Sequence, residues 1–260
     1  MNRALSAELV KLRTTRMWWG LLVALVALVA LQVAFTASFA GRYADAGGPV
    51  LPALDTPEGL RTALSAGYQY GYLMALVLGA IVGSVDFRHR TATQTFLASP
   101  HRGYVVTAKC LACAVAGLVY AVVTQVLSLA IVLVVAAVRG IDVDLGGDGV
   151  LRSLLLGVPG IVLWCVVGVS LGVLLRNQVA AVLVAVGYVL LIDPLAALAI
   201  RQLDASPVDQ YTLGSASSAL VGASTGADVL SWWAGGLVML AYAVVIAVAG
   251  WLVTTHRDVT

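Results

Sequence analysis

The chain has 260 residues, of which 61% are hydrophobic and only 11% charged, with a mean hydropathy of +0.98. An ordinary soluble domain carries about 25% charged residues, so this chain has too little charge to cover a water-facing surface. That excludes a conventional cytosolic enzyme and a disordered chain, and leaves an integral membrane protein whose solvent is lipid. A net charge of +2 gives no electrostatic footprint for a nucleic-acid partner.

In chain order, Leu5, Leu9 and Leu12 recur at i, i+4 and i+7 with Arg3, Lys11, Arg13 and Arg16 along the border. This pattern predicts an amphipathic helix on the inner leaflet before the chain enters the membrane. The apolar run after it is too long for the core of a cleavable signal peptide, so the segment is read as retained. Six uncharged runs are long enough to cross a bilayer at about 20 residues each: Met17–Ser38, Tyr68–Val85, Cys110–Val138, Leu154–Leu175, Val179–Ile200 and Ala234–Thr255. Pro159 is expected near the first turn of the fourth run, where a helix tolerates it. Trp18, Trp19, Tyr68, Tyr104, Trp232 and Trp233 fall at predicted ends, as an interfacial aromatic belt requires.

With the N-terminus inside, Arg3, Lys11, Arg13, Arg16, Arg88, Arg90, Arg102, Lys109, Arg176 and Arg257 are cytoplasmic, and Arg42, Arg61, Arg139, Arg152 and Arg201 lie outside. The positive-inside rule therefore predicts six spans with both termini in the cytoplasm. The inner acids are then Glu8, Asp86 and Asp258. The whole chain, 1–260, reads as one all-α transmembrane domain.

The second span carries Gly67, Gly71, Ala75, Gly79 and Gly83 at a spacing of four. Such a ridge lets helix backbones approach closely, either within the chain or across a dimer or sliding surface. Asp193 falls deep in the fifth run, before Pro194. It is either an intramembrane site for a proton, an ion or a cationic substrate, or a carboxylate that reaches outer-leaflet water where the proline breaks the helix. The Gly-, Ser- and Ala-rich stretch from Arg201 to Trp233 is too apolar for an ordinary loop and predicts short half-helices before the sixth span.

Catalytic motifs fail on context. Gly168-Val169-Ser170-Leu171-Gly172 matches a nucleophile elbow, but it lies inside a span and lacks the strand–turn–helix setting. Cys110-Leu111-Ala112-Cys113 is apolar and has no second ligand pair, so neither metal nor cofactor is expected. Neither lysine, Lys11 nor Lys109, follows a glycine, so the chain has no Walker A motif and cannot bind ATP by a P-loop.

The most distinctive stretch joins the second and third spans. It runs Gly83-Ser84-Val85-Asp86-Phe87-Arg88-His89-Arg90-Thr91-Ala92-Thr93-Gln94-Thr95-Phe96-Leu97-Ala98-Ser99-Pro100-His101-Arg102 and ends at Lys109. A short helix here would carry Phe87, Phe96 and Leu97 inside a rim of Arg88, Arg90 and Arg102. Apolar anchors in a basic rim suit docking into a soluble partner, although a solvated loop on anionic lipid has the same composition.

This stretch resembles the pattern of ABC-2 (type-2) ABC transporter permeases, with its acidic residue one place later, at Asp86 after Val85. Glu8-Leu9-Val10-Lys11-Leu12-Arg13-Thr14-Thr15-Arg16 is similar to that family's opening segment. The resemblance implies a non-catalytic membrane subunit of a bacterial exporter in the plasma membrane. It also implies a separate P-loop ATPase subunit and a second permease copy as partners, with a coupling helix between spans 2 and 3 that carries Asp86 to Arg102. Apolar walls suit a hydrophobic or amphipathic substrate, such as a drug, lipid or peptide. The alternative of another class is a secondary transporter using Asp193 as its ion or proton site.

Overall fold

The computed structural model describes residues 2–41, 51–88, 102–147, 149–202, 206–223 and 230–256, and among them every regular element is a helix. The elements are α1 (Asn2–Thr14), α2 (Arg16–Phe39), α3 (Pro57–Arg88), α4 (Arg102–Arg139), α5 (Val150–Leu175) and α6 (Gln178–Gly187). One π-helical turn (Tyr188–Ile192) leads into α7 (Asp193–Gln202), followed by α8 (Ser206–Asp209), α9 (Leu213–Val221) and α10 (Trp232–His256). Among the described residues, six stretches are long and apolar enough to cross a membrane: Arg16–Phe39, Pro57–Arg88, Thr107–Arg139, Val150–Leu175, Gln178–Ile200 and Trp232–Val253.

All six begin before the uncharged runs, three of them by three residues or more. The second starts at Pro57, because Thr56 accepts a hydrogen bond from the Gly59 N–H at 3.1 Å, Pro57 suits a first helical position and Glu58 favours the positive end of the helix. Its 32 residues span about 48 Å, more than the ~30 Å hydrocarbon core, so Glu58 and Arg61 need not enter lipid. The third belongs to α4, which extends back through Lys109 to Arg102, because that lysine is paired rather than solvated.

The fourth starts at Val150, which corrects the expectation for Pro159: it lies well inside the helix rather than in its first turn. Pro159 removes one backbone donor there. One turn earlier, the Gln125 amide on α4 donates to the Leu154 carbonyl at 2.6 Å. The helix ends at Arg176 in the left-handed region (φ 53°), and the Asn177 side chain immediately caps α6. Two residues thus reverse the chain.

The centre of the molecule is the parallel crossing of α3 and α5, the most extensive helix contact. Gly67, Gly71, Ala75, Gly79 and Gly83 are all buried within the chain. A Cβ on Gly79 would strike the Cys165 carbonyl and one on Gly83 the Val169 carbonyl. From the other side, Gly168 faces the Leu76 carbonyl and Gly172 the Ala80 carbonyl. The Gly-x-Ser-x-Gly stretch is therefore half of a backbone-to-backbone contact, and Ser170 donates to the Val166 carbonyl at 2.8 Å. Nearer its start the ridge turns to α4, where Gly67 meets Ser128 and Gly71 meets Thr124.

Leu25, Val29, Val33 and Tyr120 pack one flank of this spine, while Trp164, Ala185, Leu213 and Met239 pack the other. At the end of the bundle away from the N-terminus, Arg139 caps α2 by donating to the Ala37 and Ala40 carbonyls.

Candidate functional site

The end of the bundle that carries the N-terminus holds a ring of four charges, three of them buried. Three helices supply it: Glu8 and Lys11 from α1, Asp86 from the last turn of α3, and Lys109 from the second turn of α4. Lys109 Nζ lies 2.7 Å from Asp86 Oδ2 and 3.1 Å from Glu8 Oε2. Lys11 Nζ lies 2.8 Å from Glu8 Oε1 and 3.4 Å from Asp86 Oδ1. The signs alternate around the ring and sum to zero.

Glu8, Asp86 and Lys109 are 5%, 6% and 4% exposed, so each depends on its neighbours for the solvation it has lost. Only the Lys11 side chain, 45% exposed, reaches solvent. Such a ring adds little net stability over apolar packing, but it fixes register, since any slip leaves a buried charge unpaired. It ties α1 to the bases of α3 and α4. α1 also turns Leu12 into the core and leaves Val10 exposed.

The next residues of the sequence-predicted coupling segment are engaged as well. Phe87 is half-buried in the last turn of α3, with the Arg176 guanidinium 5.6 Å from its ring centroid. Arg176 also donates to the Val253 carbonyl on α10 at 2.8 Å, and Arg88 donates to the Gln178 side chain at 2.9 Å. Asp86, Phe87 and Arg88 therefore join α3 to four other helices, α1, α4, α5 and α6, and do not stand in a free loop. Arg90, Phe96, Leu97 and the short coupling helix between spans 2 and 3 lie outside the described residues, and Arg102 opens α4.

Asp193 occupies a separate site. Pro194 has no N–H and its ring crowds the preceding turn, and here the helix widens to i→i+5, with the Asp193 N–H bonded to the Tyr188 carbonyl. The half-buried carboxylate receives two donors on Oδ1, the Tyr188 hydroxyl at 3.1 Å and the Gly214 N–H at 3.1 Å. Gly214 belongs to the first turn of α9, where a Cβ would collide with Asp193 Oδ2. Deeper in α9, Ser217 lies 2.7 Å from the Tyr68 hydroxyl and accepts from Trp164 Nε1 at 2.9 Å. Two polar anchors thus dock α9, one onto the π-widened stretch Gln178–Ile200 and one onto α3 and α5.

Sequence reasoning placed Asp86 and Asp193 in candidate sites but missed the partners of both. A signal for the ring was present: the chain's two lysines and two of its three inner acids are the four residues that meet.

The fold defines a class, a multi-pass helical membrane protein with a buried ionic cluster at one end. No family model matches the chain, and no curated protein matches it.

Proposed function

We propose that the chain is the membrane-spanning subunit of an ATP-binding-cassette exporter of the ABC-2 type, driven by a separate P-loop ATPase chain. The observation that carries this reading is the ring itself. It fastens the family-like opening segment (Glu8, Lys11) to both ends of the family-like coupling stretch (Asp86 and Lys109). A displacement imposed on residues 87–108 would pass into α3 and α4 together, and through the α3–α5 glycine crossing into α5. A contiguous path of packed and ion-paired contacts is what a partner-driven transporter needs.

In this reading the ring is cytoplasmic, α1 lies along the inner leaflet, and two copies of the chain assemble with two ATPases in the bacterial plasma membrane. The path between the copies carries a hydrophobic or amphipathic substrate. Asp193 acts as a positioning residue, since its acceptor oxygen already holds α9. A secondary transporter would instead need that carboxylate to exchange partners with an ion or proton.

Purification from native membranes in mild detergent, with identification of the chains that come with it, tests the proposal. A stoichiometric P-loop ATPase supports it. A chain that purifies alone and catalyses gradient-driven flux without nucleotide contradicts it.

A further inference from the structure

Among the walls of α3, α5, α6, α9 and α10 lies a cavity of about 140 Å³. Its floor is formed by Leu76, Trp164, Val167, Ala185 and Leu213, each no more than 3% exposed. Its rim is different: Val184 on α6 and Tyr242 on α10 are 44% and 38% exposed. Both helices belong to membrane-crossing stretches, so the rim opens sideways towards the bilayer. Trp164 lies about 21 Å along α5 from Val150, near mid-depth in the bilayer.

The cavity is also chemically dry. Three of its described lining side chains carry a polar atom, and the hydrogen on each is already donated. Trp164 Nε1 donates to Ser217, the Tyr188 hydroxyl to Asp193 and the Tyr242 hydroxyl to the Tyr211 carbonyl. A buried water needs roughly two to four polar partners, and this lining leaves it at most the lone pairs of two hydroxyl oxygens. Left empty, the lining would lose its dispersion contacts on one side. Apolar cavities of about this size, ~150 Å³, take up benzene or xenon when these are supplied. At mid-depth in a membrane, the apolar molecule present at the mouth is lipid.

We propose that this cavity is an acyl-chain site, filled by the middle or end of one chain of a bilayer phospholipid entering between α6 and α10. The chain wedges between the glycine-packed spine and the two loosely packed helices. The inference requires only that these helices span a membrane, and stands apart from the transport reading.

Bromolipid quenching tests it, because bromine extinguishes tryptophan fluorescence on contact. A variant keeping Trp164 as its only tryptophan is placed in nanodiscs of phosphatidylcholine brominated either mid-chain or next to the headgroup. Mid-chain bromines should remove most of the Trp164 emission, and headgroup-proximal bromines little of it. Ala185→Leu, which fills the floor, should restore the emission. A companion variant keeping only the 58%-exposed Trp233 should stay quenchable with or without that change.

If Ala185→Leu does not fold, Val184→Phe at the rim serves the same purpose. Trp164 emission unaffected by bromine at either depth would overturn the proposal. So would quenching that survives the filled cavity or closed rim in a folded variant.

Discussion

The paired helices α3 and α5 and the outlying helices α6 and α10 are built from nearly the same apolar alphabet and are used in opposite ways. In α5, α6 (continued to Ile200) and α10 the mean hydropathy is 2.4, 2.3 and 2.4, yet 56%, 11% and 17% of the crossing window is buried within the chain. α3 is the least apolar of the four, at 1.6, and the most buried, at 61%. In lipid, hydropathy does not sort the interior from the rim, because hydrocarbon is as good a neighbour as leucine. Small residues at a spacing of four do sort it. They allow backbone contact, which lipid cannot match. The spine is therefore specified by its glycines, and the outer helices are left to lipid and to the few polar anchors around Asp193 and Ser217.

The largest break in this contrast should come from the charged end of the spine. Lys109→Met leaves Glu8 and Asp86 buried with only the half-exposed Lys11, and breaking a buried ion cluster in this way costs about 3–5 kcal/mol. Unfolding in mixed micelles should show a destabilisation of that size, and α1 should become accessible to protease.

Next comes one substitution made in two places. Gly79→Ala drives a Cβ into the Cys165 carbonyl, so two backbones must separate, at about 1–3 kcal/mol. Gly187→Ala on α6 meets open space and has ordinary helical geometry (φ −62°), so it should stabilise by up to about 1 kcal/mol. The two variants should shift the same thermal-aggregation midpoint in opposite directions. A matching loss in both would mean that the spine is no more tightly specified than the rim.

Smaller again is Ser217→Ala, which removes the shared partner of Tyr68 and Trp164. Cross-helix hydrogen bonds in lipid average about 0.6 kcal/mol, so losing two should cost about 1 kcal/mol. Hydrogen exchange should rise in α9 before it rises in α3.

The smallest effect is expected for Asp193→Asn, because both donors go to Oδ1 and the amide keeps that oxygen. Stability and ATP-driven flux should remain near wild type. Nearly complete loss of flux, with folding intact, would return Asp193 to the role of an ion or proton site.

Much of the architecture was legible in the sequence, since hydropathy and the length of a bilayer crossing fix where apolar helices lie. The boundaries were less legible wherever charge was taken as a stop. Arg61 lies on a helix that outruns the hydrocarbon, and Lys109 is buried because Glu8, about a hundred residues earlier, neutralises it. Pairing across three helices leaves no local periodicity. The glycine ridge and the small residues Gly168 and Gly172 could each be read as close-packing surfaces, but not as each other's partners, because nothing local says which helix faces which. The proline-widened turn at Tyr188–Ile192 was signalled by Pro194, whereas the donors to Asp193 come from the short α9, whose docking is tertiary.

The claim that the ionic ring transmits a partner's movement is tested most directly by Glu8→Gln with Lys109→Met. The double variant removes one charge of each sign and leaves Lys11 facing Asp86 at 3.4 Å, so no new net charge is buried. ATP turnover and ATP-dependent flux would be measured together in vesicles holding the chain and the ATPase that the proposal expects to purify with it. The expected result is a folded complex that still hydrolyses ATP while flux falls severalfold. Wild-type flux per ATP in that variant would contradict it.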